Sequence, residues 1–390
     1  MDDKQKLWSR DFLIVTIINF FIYIVFYLLM ATIASYTINN FNASTSIAGL
    51  ASGIFIIGIL FGRLGTGNII EGIGSKKILI IGTLSYAIVS ALYISAINIP
   101  LLILIRFLHG FAYGIASTAT GTIVAQVIPI SRRGEGIGYY SMSQILATAL
   151  GPFLGIFLIR YVNFKVIFII TSFIAIMSFA ISIFIRQPVS GETKNVRTSS
   201  GPERKFKVSN FIEGTAIPIS ILIMILGFNY SSILTFISLY SKELNLEKIA
   251  SFFFIVYSIV VVFSRPISGR LLDAKGPNFV IYPCLLLFSI GLVVLSLTER
   301  GATFLLSAAI IGLGYGNFLS CGQAISIKNA PPNRLGLATA TYYIFLDIGF
   351  GIGPYLFGSL ISFMGYKGLY MFMAIVTLAS IPLYLSLVRR

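Results

Sequence analysis

Residues 63–77 read Arg63-Leu-Gly-Thr-Gly67-Asn-Ile-Ile-Glu71-Gly-Ile-Gly74-Ser-Lys-Lys77, and residues 265–276 read Arg265-Pro-Ile-Ser-Gly269-Arg-Leu-Leu-Asp273-Ala-Lys-Gly276. Both obey one pattern, Arg-x-x-x-Gly-x-x-x-acid-x-x-Gly, with matched positions 202 residues apart. The same offset joins Gly110 to Gly312, Tyr113 to Tyr315, Gly114 to Gly316, and Gly151-Pro152 to Gly353-Pro354. A motif set repeated at one fixed offset marks an internal duplication, so the chain is read as two halves of like orientation.

Composition fixes the solvent. The 390 residues are 57% hydrophobic and 11% charged, where a soluble domain carries about 25% charged residues. Apolar runs of roughly the 20 residues that cross a bilayer recur along the whole length. They do not alternate as the short strands of a membrane barrel do. The expected fold is therefore an all-α polytopic membrane protein. The net charge of +15 does not indicate a nucleic-acid partner, because the cations are scattered through short loops and form no single patch. The two cysteines, Cys284 and Cys321, fall inside apolar runs, which argues against disulfides and metal ligation. The amino end mixes acids and bases and is followed by too long an apolar run for a cleavable signal, so the first span is expected to stay in the protein.

Twelve spans are expected, six in residues 1–186 and six in residues 214–390, with residues 187–213 as a polar linker. The linker is rich in Ser, Gly and Thr and carries Lys194, Arg197, Arg204, Lys205 and Lys207. Together with both tails and the loops after the even-numbered spans, it holds most of the 28 Lys and Arg residues. That bias places both termini in the cytoplasm. In the repeated loop, Gly67 and Gly269 are expected to let neighbouring helices approach closely. Gly74 and Gly276 permit a tight turn. Glu71 and Asp273 offer an anion to nearby cations or a helix amino terminus.

Two six-span halves, a linker, and a glycine-acid-glycine loop after spans two and eight resemble the major facilitator superfamily, in particular its twelve-helix proton-linked drug antiporter branch. The resemblance implies a substrate site between the halves near the midplane. It also implies that the loop residues Arg63, Gly67, Glu71, Gly74, Arg265, Gly269, Asp273 and Gly276 act as a conformational latch on the cytoplasmic side. Gly151-Pro152 and Gly155 are similar to the Gly-Pro signature of drug exporters, which lies against the other half; Gly353 and Pro354 repeat it. Arg106-Phe-Leu-His109 resembles the family's Arg-centred motif in span four, and Tyr113 and Ser117 continue a polar stripe from it.

Among the acids, Asp347 is the only one deep inside a span. An ionised Asp there costs about 2.5–3.5 kcal/mol on insertion scales, so it reads as a group that exchanges protons or meets a cationic substrate. A structural carboxyl is the alternative. Asp347, Arg106 and His109 are the proton-coupling candidates. The resemblance implies that spans one, four, seven and ten line the cavity. They offer Asn19, Tyr23, Tyr27, Tyr113, Asn229, Tyr230, Tyr315, Asn317 and Gln323, and Tyr343 lies one turn from Asp347. Rings with a few polar groups suit an amphipathic organic ligand, although tyrosine also gathers at membrane interfaces.

The expected function is proton-coupled export of small organic or drug-like molecules by alternating access. A proton-coupled nutrient importer and a flippase of lipid-like substrates are the alternatives; a receptor that binds without net transport, and an enzyme, rank lower. No nucleotide-binding loop is present, which disfavours a primary pump. No cofactor and no metal is expected. The expected partners are a small-molecule substrate, protons and the lipid bilayer, with the protein acting as a monomer in the cell membrane.

Overall fold

The computed structural model describes residues 7–129, 133–186, 212–331 and 334–388. In lipid every backbone polar group must be satisfied within the chain, so long apolar runs become helices. The first half gives α1 (Arg10–Phe41), α2 (Thr45–Ile73), α3 (Ser75–Leu92), α4 (Ile99–Val127), α5 (Arg133–Tyr161) and α6 (Phe164–Ser182). The second gives α7 (Ile217–Glu243), α8 (Phe253–Lys275), α9 (Pro277–Ser296) and α10 (Gly301–Lys328). Side-chain caps set several starts: Ser9 accepts from the Phe12 N–H, Asn98 from Leu101 and Asn163 from Val166, each satisfying an otherwise orphaned donor.

The described residues contain eleven helical segments long and apolar enough to cross a membrane, where the sequence pointed to twelve. The difference lies in the last one, Leu335–Val388, which has 54 residues. A straight helix of that length would measure about 80 Å, far beyond the ~30 Å hydrocarbon core. Gly365, at φ 67° and ψ 178°, breaks it. Two spans, α11 (335–364) and α12 (366–388), thus meet at a single non-helical residue. Nearly all of the expected linker, residues 187–211, lies outside the described residues.

The repeat is visible in the backbone. Gly74 (φ 94°) turns α2 into α3, and Gly276 (φ 83°) turns α8 into α9. These are positive-φ positions that favour glycine. Close helix contacts also repeat. A Cβ on Gly151 or Gly155 of α5 would run into α1 at Tyr27 and Thr32, and one on Gly349 or Gly353 of α11 would run into α7 at Met224 and Ser231. The Gly-Pro segment of α5 therefore packs on α1 of its own half and not, as the sequence implied, on the other half. Nearby Phe153 does reach across, to Phe252, with ring centroids 5.6 Å apart.

The halves meet mainly through α2 and α11, which run antiparallel. A Cβ on Gly49 would strike the Pro354 carbonyl, one on Gly53 the Gly351 carbonyl, and one on Gly358 the Thr45 carbonyl. Lipid gives helices no hydrophobic drive to associate, so small residues bring backbones together instead. Ser359 donates to Ser46 at 2.9 Å, and Ser35 and Ser238 join α1 to α7 at 3.3 Å. These contacts, and the one from the Thr45 hydroxyl to the Gly358 carbonyl, lie toward the membrane face opposite the termini. The halves are zipped on that far side and separate toward the termini side.

The repeated loop lies on the separated side. Nothing stands within 4 Å of where a Cβ on Gly269 would be, so the expected close helix approach at Gly269 is absent. Asp273 is exposed and forms no ion pair among the described residues. The surroundings of Gly67 and Glu71 fall outside the described residues.

The zipped state can be trapped and perturbed. With Ser46→Cys and Ser359→Cys on the far side, oxidation should cross-link α2 to α11. Adding Gly53→Val should cut the yield at least about fivefold, since overpacking costs typically 1–3 kcal/mol. Quantified mobility shifts on denaturing gels measure it, and an unchanged yield would contradict the glycine seam.

Candidate functional site

A cavity of about 210 Å³ lies between the halves, on the termini side of the zipped seam. Tyr23 and Tyr27 reach it from α1, Tyr113 from α4, Gln323 from α10, and Tyr343 from α11. All five were named from sequence. The i, i+4 spacing of Tyr23, Tyr27 and the edge-on contact of Tyr23 with Tyr113 (centroids 5.5 Å apart) build one aromatic wall. Tyr343 donates to Gln323 Oε1 at 3.1 Å, not to Asp347.

Three charged residues also line the cavity: Arg63, Arg265 and Asp347. Arg63 Nη1 donates to Asp347 Oδ2 at 2.5 Å, joining α2 to α11 across the two halves. The side chains are 30% and 14% exposed, so the pair is shielded from bulk water yet open to the cavity. Arg63 entered the sequence reading as the head of a loop motif. Its side chain instead turns into the cavity between the halves and answers the charge of Asp347.

Arg106 and His109 do not join that pair. Both are fully buried and neither lines the cavity. Arg106 donates from Nε to the Ala51 carbonyl at 2.8 Å and from Nη2 to the Ser52 carbonyl at 3.2 Å, and its guanidinium lies 4.5 Å from the Phe55 ring centroid. It ties α4 to the backbone of α2 using carbonyl acceptors and an aromatic face. His109 stacks on Tyr86 at 4.2 Å, and its Nδ1 lies 3.2 Å from the Tyr93 hydroxyl. The expected polar stripe therefore splits. Its Arg106–His109 end is packed inside the first half, and Tyr113 alone of the named stripe residues reaches the cavity.

The remaining candidates also pack internally. Asn19 donates to Ser143 at 2.9 Å and accepts from Tyr140 at 2.7 Å, linking α1 to α5. Asn229 donates to Thr377 at 2.9 Å, linking α7 to α12. Tyr230 and Tyr315 are buried and stacked on each other at 4.1 Å. Asn317 donates to Ser264 at 2.8 Å and accepts from Ser268 at 2.9 Å, linking α10 to α8. Thus α7 supplies none of the lining residues, against the expectation of spans one, four, seven and ten. Helices α2, α5, α8 and α11 do contribute.

The sequence reading missed Ser141, Gln144 and Thr148 of α5, which line the cavity. Polar side chains at three- and four-residue steps on an otherwise apolar helix mark one face, and that signal was available. A second feature was hidden. Residues Gly312–Gly316 form a π-helical turn inside α10, whereas their repeat partners Gly110–Gly114 lie in regular α-helix. Such bulges often sit near functional sites, and this one carries Tyr315 to its stack on Tyr230.

With the geometry in hand, the comparisons with known proteins agree on one family. The family model described as Major Facilitator Superfamily matches residues 15–316 and 280–390. An uncharacterized MFS-type transporter of Methanocaldococcus jannaschii is 24% identical over 338 residues, covering 85% of this chain and 86% of the relative. Multidrug resistance protein MdtG of Dickeya zeae is 25% identical over 401 residues, covering 100% of this chain and 98% of the relative. Among solved structures, a bacterial homolog of the human lysosomal transporter Spinster, in an inward-facing and unoccupied conformation, superposes with a TM-score of 0.82 at 15% identity, covering 99% of this chain and 98% of that one. This multi-pass membrane protein belongs to the Major Facilitator Superfamily of transporters.

Proposed function

We propose that the chain exports small organic molecules in exchange for protons, by alternating access, as a monomer in the cell membrane. The observation that carries this reading is the Arg63–Asp347 pair, which bridges the two halves inside a tyrosine-lined cavity. A carboxylate holds a guanidinium firmly only while ionised. A proton on Asp347 cancels the attraction and removes one fastening between α2 and α11. Removing one member of a buried pair costs on the order of 3–5 kcal/mol, so the proton acts on the balance between the two states of the transporter.

The cycle runs as an exchange. With both termini in the cytoplasm, as the cation bias supports, the cavity faces inward in this state. A substrate entering the cavity in this state competes for the cavity side chains and loosens the pair, and the halves rock to open the far side. Asp347 takes a proton there and the substrate leaves; with the pair no longer holding one state, the protonated form exchanges between both and carries its proton inward down the gradient. Release of the proton to the cytoplasm re-forms the pair. One charge crossing 100 mV supplies about 2.3 kcal/mol, a bias of roughly fortyfold between states. Export is supported by relatives named as multidrug resistance proteins, and the aromatic lining suits amphipathic organic compounds. Residues 187–213 serve as the linker between halves in this reading.

The test uses inside-out membrane vesicles with an acidified lumen and a pH-sensitive dye. Adding a transported compound from a lipophilic panel should alkalinise the lumen of parent vesicles. Asp347→Asn should abolish that response while the protein remains in the membrane; an undiminished response would remove Asp347 from the coupling step. In the same assay, His109→Gln should keep at least about half of the parent response, because His109 packs among Tyr86, Tyr93 and Phe55 and not in the cavity. Complete loss of coupling in a well-inserted His109→Gln would contradict this assignment.

A further inference from the structure

Arg265 is the repeat partner of Arg63, yet its surroundings differ in one respect. The residue matched to Asp347 in the first half is Ile145. Arg63 has a carboxylate; Arg265 faces an isoleucine. Among the described residues Arg265 forms no ion pair, and its Nε is buried with no hydrogen-bond acceptor. It still lines the central cavity, where Arg63 and Asp347 cancel, so the three charged side chains leave a net charge of +1. A guanidinium inside a membrane protein normally pairs or faces a water-filled pathway. Arg106 illustrates the satisfied case, with carbonyl acceptors for its donors. The donor fork of Arg265 is left for something that enters.

A second cavity points to what enters. A cleft of about 870 Å³ lies between α1, α5 and α8, and its lining is almost wholly apolar. Trp8, Leu146, Val262 and Phe263 on its walls are 54%, 52%, 45% and 75% exposed, so the cleft opens sideways toward the bilayer. Arg265 and Ile145 line both this cleft and the central cavity. The apolar cleft therefore ends, on its inner side, at an unpaired cation. A molecule with a hydrocarbon chain and an anionic head matches both parts. Its chain remains in apolar surroundings throughout, and its head gains a charge-assisted, bidentate partner.

We propose that Arg265 receives the oxyanion head of a single-chain amphiphile, a phosphate or carboxylate, which reaches the cavity from the bilayer through the α1–α5–α8 cleft. This rests on reading the central cavity as the substrate site, and not on proton coupling at Asp347. An anion seated at Arg265 also stands in the same cavity as Arg63 and competes with Asp347 for it, which gives the substrate a means of loosening the pair between the halves.

The chain supplies its own reporter, since its single tryptophan is Trp8 on the cleft wall. The full-length protein in phosphatidylcholine nanodiscs is titrated with dodecyl phosphate carrying a bromine at the tail end, which quenches tryptophan. Dodecyltrimethylammonium with the same brominated tail serves as the cationic control. Saturable quenching by the phosphate and only unsaturable, partition-like quenching by the ammonium compound is the expected result. Arg265→Gln should weaken the phosphate titration at least about tenfold, the loss of one charge-assisted hydrogen bond. Arg265→Lys should stay within about threefold of the parent, which guards against mere misfolding. Equal quenching by both heads, absence of saturable phosphate binding, or a parent-like curve in Arg265→Gln would each overturn the proposal. Because no gradient is present, saturable binding alongside failed proton exchange would contradict only the coupling, and the reverse pattern only the anionic amphiphile.

Discussion

An ionised carboxyl near the middle of a membrane helix needs a partner, and Arg63 is the partner of Asp347. The two residues are 284 positions apart in sequence and belong to different halves. Their pair joins α2 to α11 across the halves and lines the central cavity. On the far side of the pair, α2 and α11 are joined by close glycine backbone contacts and by the hydroxyls of Thr45, Ser46 and Ser359. In the proposed cycle the strength of the pair depends on whether Asp347 carries a proton.

The seam itself is suited to being broken and re-formed. Gly49, Gly53 and Gly358 bring the two backbones into direct contact, and Gly351 receives the Ile57 side chain, a shallow seam that suits the rocking proposed above. The contacts inside each half are of another kind. Arg106 clamps the α2 backbone, Asn19 bridges α1 to α5, and Asn229 bridges α7 to α12. Those buried hydrogen bonds are costly to leave unmade. Rigid halves joined by a shallow seam are what rocking requires.

Much of this was legible in the sequence, and the exceptions have physical reasons. The 202-residue offset exposed the duplication and the turns at Gly74 and Gly276, but not that the glycines of α5 and α11 pack on α1 and α7 of their own halves. Tyr23 and Tyr27 were found because helical spacing puts them on one face. Asp347 was found because an acid in a span is rare. Its partner was not found: Arg63 sits at the head of a loop motif, and no periodicity reports a contact between halves. Arg106 and His109 attracted attention for the same reason as Asp347, since burial of charge is costly. The sequence could not show that backbone carbonyls and tyrosine rings already satisfy them. Asn229, Tyr230, Tyr315 and Asn317 point between neighbouring helices, a choice of helix rotation that spacing alone does not fix. Arg265 needed both sources: the repeat identified Ile145 as the missing acid's position, and the structure put Arg265 on the walls of both the central cavity and the α1–α5–α8 cleft.

The most direct test of the switch is a distance. Spin labels at Asn40→Cys and Lys242→Cys, on exposed far-side ends of α1 and α7, report separation of the halves by double electron–electron resonance in nanodiscs. At alkaline pH the parent should show mainly the short distance of the zipped state. At acidic pH a longer population should grow, and with Asp347→Asn it should be present at both. Distance distributions that ignore both pH and the Asp347→Asn substitution would contradict the claim that a proton on Asp347 governs the two states.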